Sequence, residues 1–429
     1  MAAYSAGDKV QVKSKGETYT GVVSQESNSK NLLLRLDSGY SLGIKLGKGI
    51  NVKVLSKSKQ NINSNIEVKQ NSELPKIAII STGGTIASKV DYKTGAVSPI
   101  SKPEELLALI PELTNIVNIT KVSQPFAVFS EDMSSKEWQR LAKEVADELN
   151  KGNSGVIVTH GTDTLHYTAA ALSFMLRNLS KPVAVIGGQR SSDRGSFDGA
   201  LNLICGAYFT KSDIAEVAVI MHGTTEDNFC LVNKGTKVRK LHSSRRDAFR
   251  PINEIPLGRI WKDGTLEVLN KTYNKRSDKK VIADTKFEEK VALVKFYPGA
   301  DPDILKYFIK KDYKGIIIEA TGLGQVATSP TAKNKSWLPV IKEAIKKKVF
   351  IGFTSQTIYG RVDPYVYSSA RTLQDAGVVF LEDMLSETAF VKLGWVLGHT
   401  KNPDEAKKFM LLNIAGEINS KLEPRGFLY

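Results

Sequence analysis

Ile77-Ala78-Ile79-Ile80-Ser81-Thr82-Gly83-Gly84-Thr85-Ile86-Ala87-Ser88 is the stretch whose reading decides the fold. Four consecutive apolar residues, followed at once by hydroxyls and two glycines, read as a strand buried on both faces that ends in a turn. Hydroxyls and bare backbone amides therefore gather at the carboxyl end of a strand, the edge where open α/β sheets place their ligands. Thr85 is thereby a candidate catalytic nucleophile, and the remaining chain is read for groups able to activate it.

The same design recurs downstream. Gly155-Val156-Ile157-Val158 runs into Thr159-His160-Gly161-Thr162-Asp163-Thr164 and then a helical stretch from Leu165 to Leu176. Val183-Ala184-Val185-Ile186 ends in Gly187-Gly188-Gln189-Arg190, with Asp193 and Asp198 beyond, and Val217-Ala218-Val219-Ile220-Met221 ends in His222-Gly223. Strands alternating with helices predict a doubly wound, mainly parallel sheet between helical layers, with both threonine turns at one edge. Between the first two units, helices are expected over Lys102–Ile110 and Lys136–Asn150, capped by Ser101 and Ser134. The second carries Trp138, Leu141, Ala142, Val145 and Leu149 at helical spacing. The polar segment from Val90 to Pro99 reads as a loop able to close over the site.

Outside this core the chain divides into further parts. Residues 1–56 show short alternating strands, such as Lys9-Val10-Gln11-Val12-Lys13, separated by turn residues, and predict a small SH3-like β-barrel. Residues 57–75 are rich in Ser, Lys, Gln and Asn, a composition that buries little and reads as a linker. A catalytic α/β domain over 76–270 and a basic connection over 271–290 precede a second α/β domain over 291–429. Its strands begin at Val291, Gly315, Val349 and Val378; helices are expected over Leu338–Lys347, Tyr365–Asp375, Ser386–Gly398 and Asp404–Ser420.

Composition narrows the class. At 429 residues the chain is too long for one ordinary core, and 41% hydrophobic with 24% charged residues suits a globular protein. Sixty basic against 45 acidic residues leave a formal charge of +15, which favours polyanionic partners such as RNA. Two cysteines, Cys205 and Cys230, make no disulfide framework and fit a reducing compartment. With neither an apolar signal core at the N-terminus nor a run of membrane-spanning length, the expected location is cytoplasmic.

Competing readings of single motifs are weaker. Gly83-Gly84-Thr85-Ile86 lacks the lysine of a phosphate-cradling loop. His160 and His166 have no partners at metal-ligand spacing and read as structural. Lys240, within Lys237-Val238-Arg239-Lys240, would ordinarily be a solvated lysine.

Thr82-Gly83-Gly84-Thr85-Ile86-Ala87 and Thr159-His160-Gly161-Thr162-Asp163-Thr164, in this order at strand ends, resemble the bacterial-type L-asparaginase/glutaminase family. The likeness continues through Phe129-Ser130-Glu131-Asp132-Met133, Lys240 ahead of Asp247-Ala248-Phe249-Arg250-Pro251, and Thr354-Ser355-Gln356-Thr357, covering the chain from about Lys76 onward. The resemblance implies that Thr85 is the acyl-forming nucleophile and that Thr162, Asp163 and Lys240 form its activating set, leaving open whether Thr162 attacks or positions water. It implies that Ser130 and Glu131 grip the α-carboxylate and α-amino groups of the substrate. Backbone amides around Gly84–Thr85 and Gly161–Thr162 are candidates for an oxyanion hole. The family's loop tyrosine aligns with Ala96 here, so either Tyr92 replaces it or the site is completed by a partner.

Barrel, linker and asparaginase-like body together resemble the GatD family of archaeal glutamyl-tRNA(Gln) amidotransferases. That resemblance implies an amidohydrolase which frees ammonia from glutamine or asparagine. A GatE-type partner then converts Glu-tRNA(Gln) to Gln-tRNA(Gln) with ATP and Mg. This chain is expected to bind no cofactor or metal, to meet tRNA mainly through the partner, and to form a homodimer within a heterotetramer. A stand-alone L-asparaginase, or a silent tRNA- or partner-binding protein, are the alternatives.

Overall fold

The computed structural model describes residues 4–5, 7–14, 16–24, 27–36, 41–47, 49–57, 70–83, 88–90, 97–99, 103–190, 196–332 and 335–429. Gly84, Thr85, Tyr92, Ala96, Ser101 and Asp193, all singled out above, lie outside them.

The apolar strand Lys76–Ser81 sits inside an eight-stranded sheet. Asn118–Ser123 pairs with it on one side and Gly155–Thr159 on the other, both parallel. Parallel pairing continues to Val183–Ile186 and Val217–His222, so the carboxyl ends at Ser81, Thr159 and Ile186 share one edge. Beyond Val217–His222 the sheet turns antiparallel, through Phe229–Lys234 and Gly258–Trp261 to Leu266–Val268. Ile77, Ile79, Val156, Ile157 and Val158 are almost wholly buried, as strands covered on both faces must be.

Helix Ser135–Asn150 starts at a capping box in which the Ser134 hydroxyl bonds the helix start and Glu137 bonds back to the Ser134 amide. It buries Trp138, Leu141, Ala142, Val145 and Leu149, the predicted face. Leu165–Met175 is buried nearly all round, because the C-terminal helix Ser386–His399 packs against it. Phe174 stacks on Trp395 at 6.3 Å and Tyr167 meets Phe390 edge-on at 6.4 Å. One apolar cluster thus runs across both α/β units.

The second unit is a four-stranded parallel sheet in the order Val291–Lys295, Gly315–Ala320, Phe350–Ser355, Val379–Phe380. The connection over 271–290 is fastened down: Arg276 donates to the carbonyls of Ser154, Thr210 and Ser212, and Ile282–Ala283 pairs with Leu176–Arg177. At the N-terminus five antiparallel strands follow the order Ser41–Lys45, Asn31–Leu36, Glu17–Val23, Lys9–Ser14, Asn51–Ser56. Val10, Val12, Val23, Leu32, Leu34 and Ile44 form their own core.

Two helices differ from expectation. The one predicted over Tyr365–Asp375 starts at Ser368. The closing helix, expected to reach Ser420, stops at Leu411. There the buried Lys392 ammonium takes the carbonyls of Met410 and Leu412 and pairs with Glu417. Glu417 in turn accepts from the amides of Ile414 and Ala415, so a side-chain network replaces the next helical turn.

A second buried pair joins the two units. Lys237 Nζ lies 2.6 Å from Asp383 Oδ2 with neither side chain exposed. Asn419 donates to both carboxylate oxygens of Asp383, and Asn253 donates to the Asp383 and Gly360 carbonyls. Among the described residues no helix is long and apolar enough to cross a membrane.

Candidate active site

The two threonine turns are joined through their backbones. The Thr82 amide and hydroxyl both donate to the Thr159 carbonyl, at 3.0 and 3.2 Å, and the Val128 amide donates to the Thr82 carbonyl. Gly83 follows at φ +115°, where a Cβ would stand 2.7 Å from the Val128 carbonyl oxygen. Only glycine fits that close approach. The described chain thus reaches Gly83 at the same sheet edge as Thr159–Asp163.

From the second turn, Thr162 and Asp163 reach the ribbon formed by Val238–Lys240 and Phe249–Pro251. Lys240 Nζ donates to Thr162 Oγ1 at 2.9 Å and to Asp163 Oδ1 at 2.8 Å. The Lys240 side chain is 8% exposed while Asp163 is 70% exposed, so the amine sits inside and its counter-ion at the mouth. The Thr162 hydroxyl donates onward to Gln189 Oε1 at 3.3 Å.

Gln189 is a site residue that sequence reading misses. It stands beyond the end of the parallel strand Val183–Ile186, in the Gly187-Gly188-Gln189 turn. Its backbone amide and that of Arg190 donate to the buried Asp198 carboxylate, both at 2.9 Å. Its Nε2 is buried without a partner among the described residues. The signal that could have found it is a third strand of the same set, ending in glycines and an amide.

Ser130 is buried beneath the second turn and Glu131 is exposed beside it. The Ser130 hydroxyl faces the Glu131 carboxylate at 3.4 Å, and the Thr164 hydroxyl donates to the Ser130 carbonyl at 2.5 Å. Gly161 makes this contact possible, since a Cβ there would lie 2.9 Å from the Ser130 Cβ and 3.1 Å from its hydroxyl. Gly161→Ala is expected to displace Ser130, to cost about 1–3 kcal/mol in overpacking, and to raise KM for an amide substrate about tenfold. Steady-state kinetics beside a thermal melt check this; an unchanged KM would remove Ser130 from the substrate contacts.

His160 braces the turn. Burial holds its pKa down to about 4, so the ring stays neutral. Nδ1 lies 2.7 Å from the Gly161 carbonyl and must carry the proton, which makes Nε2 the acceptor for the Thr168 hydroxyl at 2.8 Å. Thr168 in turn accepts from Trp138 Nε1 at 3.0 Å. His166, held down to about 3 by burial, then by Arg239, His160 and Lys240, is also neutral. Neither histidine contacts a metal-ligating set, and among the described residues no cluster of His, Cys, Asp or Glu could hold a metal ion.

The arrangement offers a buried amine and a hydroxyl in contact, a carboxylate at the mouth, and neighbouring turns rich in backbone amides. Such a set can take a proton from a hydroxyl nucleophile and return it to a leaving group.

Residues 76–274 match the family described as Asparaginase, N-terminal; 290–410 match the Glutaminase/Asparaginase C-terminal domain; and 4–55 match the GatD N-terminal domain. The chain is 51% identical over 427 residues to the glutamyl-tRNA(Gln) amidotransferase D-subunit of Pyrococcus furiosus, covering 98% of this chain and 94% of that one. The same subunit from Methanothermobacter thermautotrophicus is 43% identical, covering 98% and 95%. Among solved structures, the thermostable L-asparaginase of Thermococcus kodakarensis superposes with a TM-score of 0.71 at 29% identity, over 81% of this chain and all of that one. L-asparaginase I of Vibrio cholerae gives 0.68 at 27% identity, over 81% of this chain and 99% of that one.

Proposed function

Because the chain belongs to the GatD family of glutamyl-tRNA(Gln) amidotransferase subunits, we propose that its asparaginase-like body hydrolyses the side-chain amide of glutamine or asparagine through a threonine nucleophile. The ammonia passes to a partner subunit of the same complex. The observation that carries the reading is the Lys240 amine, enclosed and bonded to both Thr162 and Asp163 at the sheet edge where Ser81 also ends.

In the proposed reaction the Thr85 hydroxyl attacks the amide carbon while its proton passes to the Thr162–Lys240 couple. The carbonyl oxygen becomes an oxyanion facing backbone amides of the Gly84–Thr85 and Gly161–Thr162 turns. Collapse breaks the C–N bond, and the stored proton leaves with ammonia. Water then attacks the threonyl ester, returns a proton to Thr85 and releases glutamate or aspartate. Ser130 and Glu131 hold the α-carboxylate and α-ammonium groups, so the amide presents itself to the nucleophile in one orientation. Asp163, exposed at the mouth, keeps the Lys240 amine turned toward Thr162.

The chain needs no cofactor or metal of its own for these steps. The GatE-type partner would use ATP and Mg to activate the glutamyl carboxylate of Glu-tRNA(Gln), and would accept the ammonia. The working assembly is a homodimer of this chain within a heterotetramer, in the cytoplasm. Relatives named as amidotransferase subunits over nearly the whole chain favour this over a stand-alone asparaginase.

The decisive experiment measures glutamine and asparagine hydrolysis by wild type and Thr85→Ala, with and without the partner and Glu-tRNA(Gln). Hydrolysis by the wild type that is lost in the variant is expected. No hydrolysis under any of these conditions would overturn the activity; unchanged hydrolysis in Thr85→Ala would overturn the nucleophile.

A further inference from the structure

We propose that Glu387, on the C-terminal unit, is a positioning residue for Lys240: it holds Arg239 on the reverse face of the ribbon and cancels the guanidinium's field at the Lys240 amine. The proposal rests on the reading of Lys240 as the site's base.

The ribbon that presents Lys240 has only three residues in each strand. A two-stranded ribbon of that length is not stable unaided, so the position of Lys240 depends on what holds the ribbon from outside. Successive side chains on a strand point to opposite faces. Lys240 points to Thr162 and Asp163, and Arg239 points away, with Nη2 3.0 Å from Glu387 Oε1. Glu387 opens the helix Ser386–His399, so a residue of the second α/β unit pins the strand that serves the first unit's site.

As a stabilising device this carboxylate is poor. Its side chain is 6% exposed, and Oε2 is buried without a partner among the described residues. A half-satisfied buried carboxylate costs more than a neutral side chain of the same shape. Burial pushes the Glu387 carboxyl up and Arg239 pulls it back, with Glu319 adding a further upward push. What a neutral side chain could not supply is the negative charge opposite Arg239.

The surrounding charges show where that compensation is felt. On its own face Lys240 has Asp163, while the neutral His166 of the adjoining helix has its proton affinity depressed by burial first, then by Arg239 and, less, by Lys240. Across the ribbon Arg239 stands opposite Arg250, but Arg250 is bonded to Asp247, which also takes both donors of Arg245. Glu319 and Tyr167 complete the group, the Tyr167 hydroxyl being pushed up to about 12 by burial and by Glu387. Arg239 is therefore the cation next to Lys240 that Glu387 neutralises by direct ion pairing.

The test uses the full chain labelled with lysine carrying carbon-13 at Cε, the Lys240 signal being identified by its loss in Lys240→Arg. In Glu387→Gln the uncompensated guanidinium should make Lys240 release its proton roughly 0.5–1 pH unit lower than in wild type. Arg239→Met alone leaves Glu387 unopposed and should move the midpoint upward. Arg239→Met with Glu387→Met should return it to within about 0.3 of wild type, as expected of two charges acting as a pair. A midpoint that stays in place in both single variants overturns the proposal, and because the two shift in opposite senses, either one that folds is decisive. Amide hydrolysis is followed in parallel. A midpoint that moves while the acid limb of the rate profile does not would count against Lys240 as the base and leave the role of Glu387 standing.

Discussion

Lys240→Met is expected to lower kcat for amide hydrolysis by roughly 10²–10⁴, the usual contribution of a positioned general base. The loss should fall on kcat rather than KM, because Lys240 touches Thr162 and Asp163 and not the Ser130–Glu131 pair that would hold the substrate. Folding should be little affected, since the Lys240–Asp163 pair places one partner largely in solvent and such pairs contribute about 0–1 kcal/mol. Lys240→Arg should not rescue the rate. A guanidinium can keep the bonds to Thr162 and Asp163 but holds its proton throughout the working range. Steady-state kinetics on the three proteins decide the matter, and a methionine variant within tenfold of wild type would end the assignment of Lys240 as base.

Asp383→Ala is expected to destabilise the fold by about 3–5 kcal/mol, the cost of leaving one member of a buried ion pair without its counter-charge. Lys237 is buried, and burial lowers its proton affinity, an effect that Asp383 offsets only in part. Removing the carboxylate also strips Asn419 of two acceptors, leaving it the Asn253 carbonyl, and Lys237 of its closest one. Replacing both partners, as Lys237→Met with Asp383→Leu, should cost markedly less because no charge is then stranded. Denaturant midpoints of the single and double variants test this; equal losses in both would show that the charge pair itself is not what matters.

Much of the first unit is legible from local pattern. Buried parallel strands are unbroken apolar runs, and the glycines after Ile80, Val158 and Ile186 mark where each one ends. Ser81, Thr159 and Ile186 do share an edge, and Lys240 does meet Thr162 and Asp163 there. Other features have no local signature. Lys237 and Asp383 are 146 residues apart, and nothing around Arg239 announces Glu387. Periodicity carries the last helix to Ser420, but tertiary bonds from Lys392 and Glu417 stop it at Leu411. Gln189 escapes notice because an amide at a strand end looks like any turn residue until Thr162 is seen donating to it.

The shared core between the helices Leu165–Met175 and Ser386–His399 bears on how the protein is made. While a ribosome is still producing the second unit, the first has an uncovered apolar helix and, at Lys237, a cation without the carboxylate that bonds it. Neither deficit is corrected until residues 383–399 have emerged. Nascent domains usually fold in order from the N-terminus. Here the first α/β unit must wait for residues 383–399 of the second, so Thr162, Asp163 and Lys240 settle into their arrangement only after most of the second unit has been made.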